Sequence, residues 1–130
     1  MAFRPNAAAR SGIMDDGINH FNGATITIFT GTQPGEGGGS HSDTTLSSGT
    51  LPSPAFGAAT AGAAGPATSW SLSNSATGTA GWARITQGSA ILDLDVGTTG
   101  ADLNLDTLSL EDGGSVAVSG GSITLPGNDA

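Results

Sequence analysis

Six carboxylates, Asp93, Asp95, Asp102, Asp106, Glu111 and Asp112, fall within one stretch of twenty residues and form the densest set of chemistry-bearing side chains in the sequence. Oxygen donors of this kind suit calcium. Asp93 and Asp95, however, alternate with Leu92, Leu94 and Val96, which places the acids on the outward face of a strand. Neither the EF-hand spacing nor a Gly-Gly-x-Gly-x-Asp nonapeptide occurs. The expectation is a solvated outer face and acids in turns, where outward Asp also discourages edge-to-edge association. A structural calcium is the alternative.

Acid–base chemistry would fall to His20 or His41. One ends a weak helical segment and the other lies in a Gly-rich loop, so both are expected to be poorly positioned. No Gly-x-Ser-x-Gly elbow is present. The chain has no Cys, so a thiolate metal site and a disulfide framework are excluded. The Gly35–Gly39 cluster lacks the Gly-Lys-Ser/Thr ending of a phosphate-binding loop. Enzyme activity is therefore not expected, and no catalytic, cofactor or metal-binding residue is assigned. Trp82 and Arg84 share one face of a strand as either a stacked cation or a surface binding pair. The preferred reading is that Trp82 is core and Arg84 satisfies a carboxylate at the rim.

Composition narrows the partners. Eleven acids against three Arg and no Lys give a net charge of −8, which disfavours nucleic acid because phosphate binding needs clustered cations. Arg4 and Arg10 lie in the first ten residues, leaving Arg84 among all the acids. A mildly basic arm on an acidic body follows. No run approaches the ~18 apolar residues of a membrane span, and MAFRPNAAAR lacks a signal peptide's apolar stretch. A soluble protein with no cleaved signal and no membrane partner is expected. The 22 Gly among 130 residues cost backbone entropy on folding and point towards stabilisation within an assembly.

The elements that must position these residues read mainly as β. Apolar residues recur at every second position between Thr79 and Leu125, as in a strand meander. A parity change between Leu105 and Leu108 requires a bulge or turn at Asp106-Thr107. Gly113-Gly114 is a turn, and Gly120-Gly121 a hairpin joining Val116/Val118 to Ile123/Leu125. ATITIFT, from Ala24, is a central strand with Ile26 and Ile28 on one face. Gly31 to Asp43 is a mobile loop. Thr44 to Leu51 is a strand kinked at Gly49 and stopped by Pro52 and Pro54. Ala58 to Pro66 is a linker-like crossover between two sheets, and Trp70 and Leu72 share a strand face. Asn6 caps a short helix running towards Phe21. The expected architecture is an antiparallel β-sandwich, with a jelly roll as one arrangement, and a short N-terminal helix or arm. Its parts are 1–22 (arm and helix), 23–127 (sandwich) and 128–130 (frayed tail).

The phrases RPNAAARSGI, ATITIFTGTQP, SPAFGAATAGAA, GTAGWARI, DVGTTGADLNLDT and VAVSGGSITLPG run in this order from Arg4 to Gly127. In combination they resemble a family of small proteins encoded among the virion structural genes of tailed bacteriophages. Gly12 and Gly17 within the helix and the Gly-rich loop after Gln33 depart from that pattern. The resemblance implies a β-rich virion component, with decoration (cement) of the capsid exterior as the favoured role and no catalytic residues to transfer. It implies the major capsid protein and neighbouring copies of the chain as partners, in a protein made in the host cytoplasm. Arg4, Arg10, Ile13, Met14 and Phe21 are the candidate partner-binding residues. A ring protein of the tail or head-to-tail joint is the alternative within the virion. A carbohydrate- or receptor-binding module with Trp70 or Trp82 as platform is the alternative outside it.

Overall fold

A computed structural model describes Gly12 and residues 20–34, 38–60 and 63–124. The elements among them are strands: β1 (Thr25–Phe29), β2 (Thr45–Thr50), β3 (Ala63–Ala64), β4 (Trp70–Asn74), β5 (Gly78–Thr79), β6 (Trp82–Gln87), β7 (Ala90–Gly97), β8 (Leu103–Leu105), β9 (Ser109–Leu110), β10 (Ser115–Gly120) and β11 (Ile123–Thr124). Seven of them close into a barrel in the order β1-β2-β4-β10-β8-β7-β6, with β6 returning to β1. Two short ribbons, β3–β11 and β5–β9, accompany it.

The alternation in the sequence sets which residues face inward. Ile26 lies opposite Ile85, which lies opposite Leu92; Ile28, Ala83 and Leu94 make the next such row. Across the barrel, Trp70 pairs with Val118 and Val118 with Leu105, while Leu72 pairs with Val116. Ile26, Ile28, Leu46, Leu72, Ile85, Leu94, Leu103, Leu105, Val116 and Val118 are all fully buried. A seven-stranded barrel is narrow enough for such side chains to fill it. The interior is a packed core.

Four expectations need correction. The two-sheet sandwich is a single closed sheet, because β6 pairs with both β7 and β1 and β10 with both β4 and β8. A period of two looks the same in either architecture, since it reports an inside and not how many sheets enclose it. Secondly, the pairing is mixed: Val96 and Gly97 of β7 lie parallel to Leu103 and Asn104 of β8. The intervening five residues, Thr98–Asp102, are far fewer than the dozen or so of an ordinary parallel crossover. They suffice because the chain only steps sideways by one strand and continues in the same direction. Thirdly, Gly120-Gly121 makes no hairpin. Gly121 has φ +141° and a Cβ there would collide with the Asp102 carbonyl; the chain leaves the barrel and β11 pairs with β3. Finally, the Ala58–Pro66 crossover is not a plain linker. Phe56 bridges Pro66, and Thr60 and Ala63 exchange backbone hydrogen bonds of 2.8 and 3.0 Å.

The helix expected towards Phe21 and the arm before it lie outside the described residues, Gly12 apart, as does the tail 128–130. The described end of that segment, His20–Gly23, is a turn. It closes one end of the barrel: Asn22 Oδ1 accepts the Ala55 N–H, and the Asn22 carbonyl accepts Gln87 Nε2.

Candidate functional site

Outside the barrel, register brings together residues far apart in sequence. Phe29 on β1 lies opposite Trp82 on β6, and Arg84 opposite Asp93 on β7. All four face outward, because their neighbours Ile28, Ala83, Ile85 and Leu94 face in. The Phe29 and Trp82 rings stack with centroids 4.6 Å apart and 26° between planes. Two such rings on an outer face would expose a large apolar area unless something covered them.

The chain after β1 supplies the cover. Gly31, at φ +81°, turns it back across the sheet. His41 sets its ring edge-on against both Phe29 (4.4 Å) and Trp82 (4.9 Å). Asp43 Oδ2 accepts the Trp82 indole N–H at 2.9 Å. Arg84 grips Asp93 through Nε (2.7 Å) and Nη2 (3.1 Å), and Nη2 also donates to the Gly39 carbonyl. Asp93 in turn accepts the Gly38 N–H at 3.1 Å. The guanidinium lies 5.1 Å from the Trp82 ring centre, close enough for cation–π attraction. Residues 38–43 are thus clasped to the barrel, which corrects the expectation of a mobile loop and of a poorly held His41. Residues 35–37 lie outside the described set.

The electrostatics follow from this covering. The Asp93 side chain is only 3% exposed. Burial alone would push its carboxyl up, but the bonds from Arg84 and Gly38 and the charge of Arg84 outweigh that and hold it below the ordinary carboxylate range. Arg84 is raised above its ordinary value, first by the bond to Asp93. The pair stays charged and bidentate. Each reading of Trp82 and Arg84 holds in part: Arg84 satisfies a carboxylate and sits over the ring, whereas Trp82 is buried under the loop on the outer face and not in the barrel core.

Two of the other acids fasten the chain through their carboxylates. Asp102 Oδ2 accepts the Asp95 N–H, and Asp106 Oδ1 accepts the Ala117 N–H at the parity break. Asp112 donates its N–H to Thr77 Oγ1. Among the described residues no three His, Cys, Asp or Glu side chains gather where they could hold a metal ion. Trp70 and Trp82 are 2% and 1% exposed, and Trp70 donates its indole N–H to the Ala55 carbonyl. Neither offers a face to a sugar.

Of the residues expected to bind a partner, Arg4, Arg10, Ile13 and Met14 lie outside the described residues. Phe21 packs half-buried against the core and edge-on to His20 at 5.6 Å, and its carbonyl accepts the Ala24 N–H; in this structure it serves the closing turn. The clasp draws on Phe29, Gly38, Gly39, His41 and Asp43, none of which the sequence singled out as a group. The one available signal was a large aromatic, Phe29, on the outward parity of an otherwise Thr-lined face.

No protein-family model, no curated protein and no solved structure matches the chain.

Proposed function

We propose that the protein is a structural virion component that binds the outer surface of a phage capsid and stabilises the lattice through contacts repeated over many copies. The observation that carries this reading is the distribution of charge on a filled barrel. Arg84 is the sole Arg or Lys among the described residues, and it is committed to Asp93. The remaining cations, Arg4 and Arg10, both precede the barrel. The body is thus an acidic shell around a packed core, and both remaining basic residues precede it in the sequence. The resemblance to phage virion proteins points the same way.

On this reading Arg4 and Arg10, with Ile13, Met14 and Phe21, dock on an acidic region of the major capsid protein, while the barrel makes lateral contacts with neighbouring copies. Burial added at many copies raises the barrier to rupture of the lattice under internal DNA pressure. Deleting Met1–Arg10 and sedimenting the protein with capsids tests it. Binding is expected to disappear while tryptophan emission and far-ultraviolet dichroism stay native; undiminished binding would sink the reading. Copy number per particle separates a capsid coat from a single ring at the tail.

A further inference from the structure

We propose that the open edge of β7, around Ile91 and Asp93, is a docking edge at which an extended, lysine- or arginine-bearing segment of a partner protein adds to the barrel as a further strand. On the reading above that partner is the capsid protein, but the edge is argued from its own geometry.

β7 has a complete neighbour on one side only. Its residues Ala90 to Asp95 pair with β6, whereas β8 lies beside Val96 and Gly97 alone. Asp95 donates its backbone N–H to Asp102 Oδ2 (3.2 Å), away from its register partner Trp82. Alternate residues of an antiparallel strand turn their backbone groups the same way. Ile91 and Asp93 therefore point their N–H and C=O groups away from β6, while Ala90, Leu92 and Leu94 bond to Gln87, Ile85 and Ala83. Among the described residues no strand lies beside Ile91 and Asp93. Such an edge is a template for strand addition.

The loop protects this edge only from the outer face, where Gly38 lies against the Ile91 side chain and donates to the Asp93 carboxylate, and other usual protections are missing. The edge carries no Pro and no Lys, and Ile91 is the one large apolar side chain that is exposed among the described residues, at 39%. Asp93 cannot act as a repelling outward charge, because Arg84 neutralises it. Asp95 is exposed and Asp102 stands beside it, so the upper end of the edge is acidic. An incoming strand fits if its outward row places an apolar residue against Ile91 and a cation against Asp95. A second copy's β7 would set Asp95 against acids of the same sign. The chain's own end, Leu125–Ala130, has no cation, and its own Arg4 and Arg10 lie in a sequence ill suited to a strand, since Pro5 cannot donate to a ladder and Ala7–Ala9 favour helix. A basic segment of a different protein is the occupant that charge selects.

The test is amide exchange by NMR on the full chain, with the peptide Thr-Lys-Thr-Val-Thr-Lys-Thr as probe and a control in which Pro replaces each Thr. In the free protein the Ile91 and Asp93 amides are expected to exchange rapidly, and the Leu92 and Leu94 amides slowly. The probe should slow Ile91 and Asp93 by about tenfold or more, and the equally charged control should not. Ile91→Pro, which removes an N–H that no ladder bond uses, should weaken probe binding by about tenfold, and Ile91→Thr should leave it within about twofold. Equal binding of probe and control would mean simple charge attraction and overturn the proposal. So would slow exchange at Ile91 and Asp93 in the free protein, whether independent of concentration (the chain's own segment) or dependent on it (a second copy). If Ile91→Pro fails to fold, the probe and control still decide the matter on the unaltered chain. Sedimentation with capsids keeps the two readings apart: no binding by the unaltered chain refutes the capsid role and leaves the edge result standing.

Discussion

Over β1, β6 and β7 the outside of the barrel is roofed by residues 38–43, whereas over β2, β4 and β10 nothing among the described residues covers it. The bare side carries Ser48, Ser73 and Ser115 in one row across three strands and Ser71 beside Ala117 in the next. Small hydroxyls bond to water and need no cover. The roofed side carries Phe29, Trp82, Arg84 and Asp93, of which the first two would be costly to leave in water. The inner faces of both regions are the same kind of packed aliphatic surface, so the difference arises wholly from the outward parity. One Gly-rich segment is ordered by what the sheet presents to it.

This contrast can be broken at its strongest point. Trp82→Ala removes the ring on which Phe29, His41, Asp43 and Arg84 converge, and should cost about 3–5 kcal/mol in denaturant unfolding. Trp70 remains as the fluorescence probe. A loss below about 1 kcal/mol would mean that the roof adds little to the fold. Next in size is Gly81→Ala. A Cβ there would strike the Gly31 carbonyl, just where the chain turns back, and about 2–3 kcal/mol should be lost as strand and loop are forced apart.

Asp93→Asn keeps the shape of the clasp and removes its charge, leaving Arg84 half-buried without a counterion. About 2 kcal/mol is the expected cost near neutral pH. The sign of the pH effect is fixed by the direction of the shift. The folded-state value of Asp93 lies below its unfolded value, so its contribution is complete above roughly pH 4 and is lost as pH falls through the folded-state value. The unaltered protein should therefore lose stability more steeply in acid than Asp93→Asn does, and parallel acid limbs would show that the pair contributes nothing. His41→Ala should cost about 1 kcal/mol, for two edge-on ring contacts and the bond from the Asp43 N–H. On the bare side, Ser71→Thr should change stability by no more than about 0.5 kcal/mol; a larger effect would show that this face is covered after all.

Much of the barrel was legible residue by residue. The alternation through ATITIFT and from Trp82 to Val118 identified the inward rows, the parity change marked the break between β8 and β9, and Pro52 and Pro54 follow the end of β2. Closure was not legible, nor was the parallel step from β7 to β8. Each depends on which strands become neighbours, and that is settled by contacts between residues tens of positions apart. The candidate site was harder still. Arg84 and Asp93 are nine residues apart and both lie on outward parity, so their pairing follows once the β6–β7 hairpin is seen. Gly38, Gly39, His41 and Asp43 carry no periodicity, and their places are fixed by hydrogen bonds to side chains on β6 and β7 and by ring contacts with Phe29 and Trp82.

The sequence was enough for the class of element, most of the inward residues, the acidic body and the position of Arg4 and Arg10 ahead of it in the chain. These are local properties, set by side-chain parity, turn chemistry and charge. Only the tertiary structure decided that the sheet closes on itself, that a Gly-rich loop is clasped over Trp82, and that β7 is left with an open edge around Ile91. Those features depend on the stagger between strands, through which β8 reaches only the last two residues of β7. No local pattern encodes that stagger.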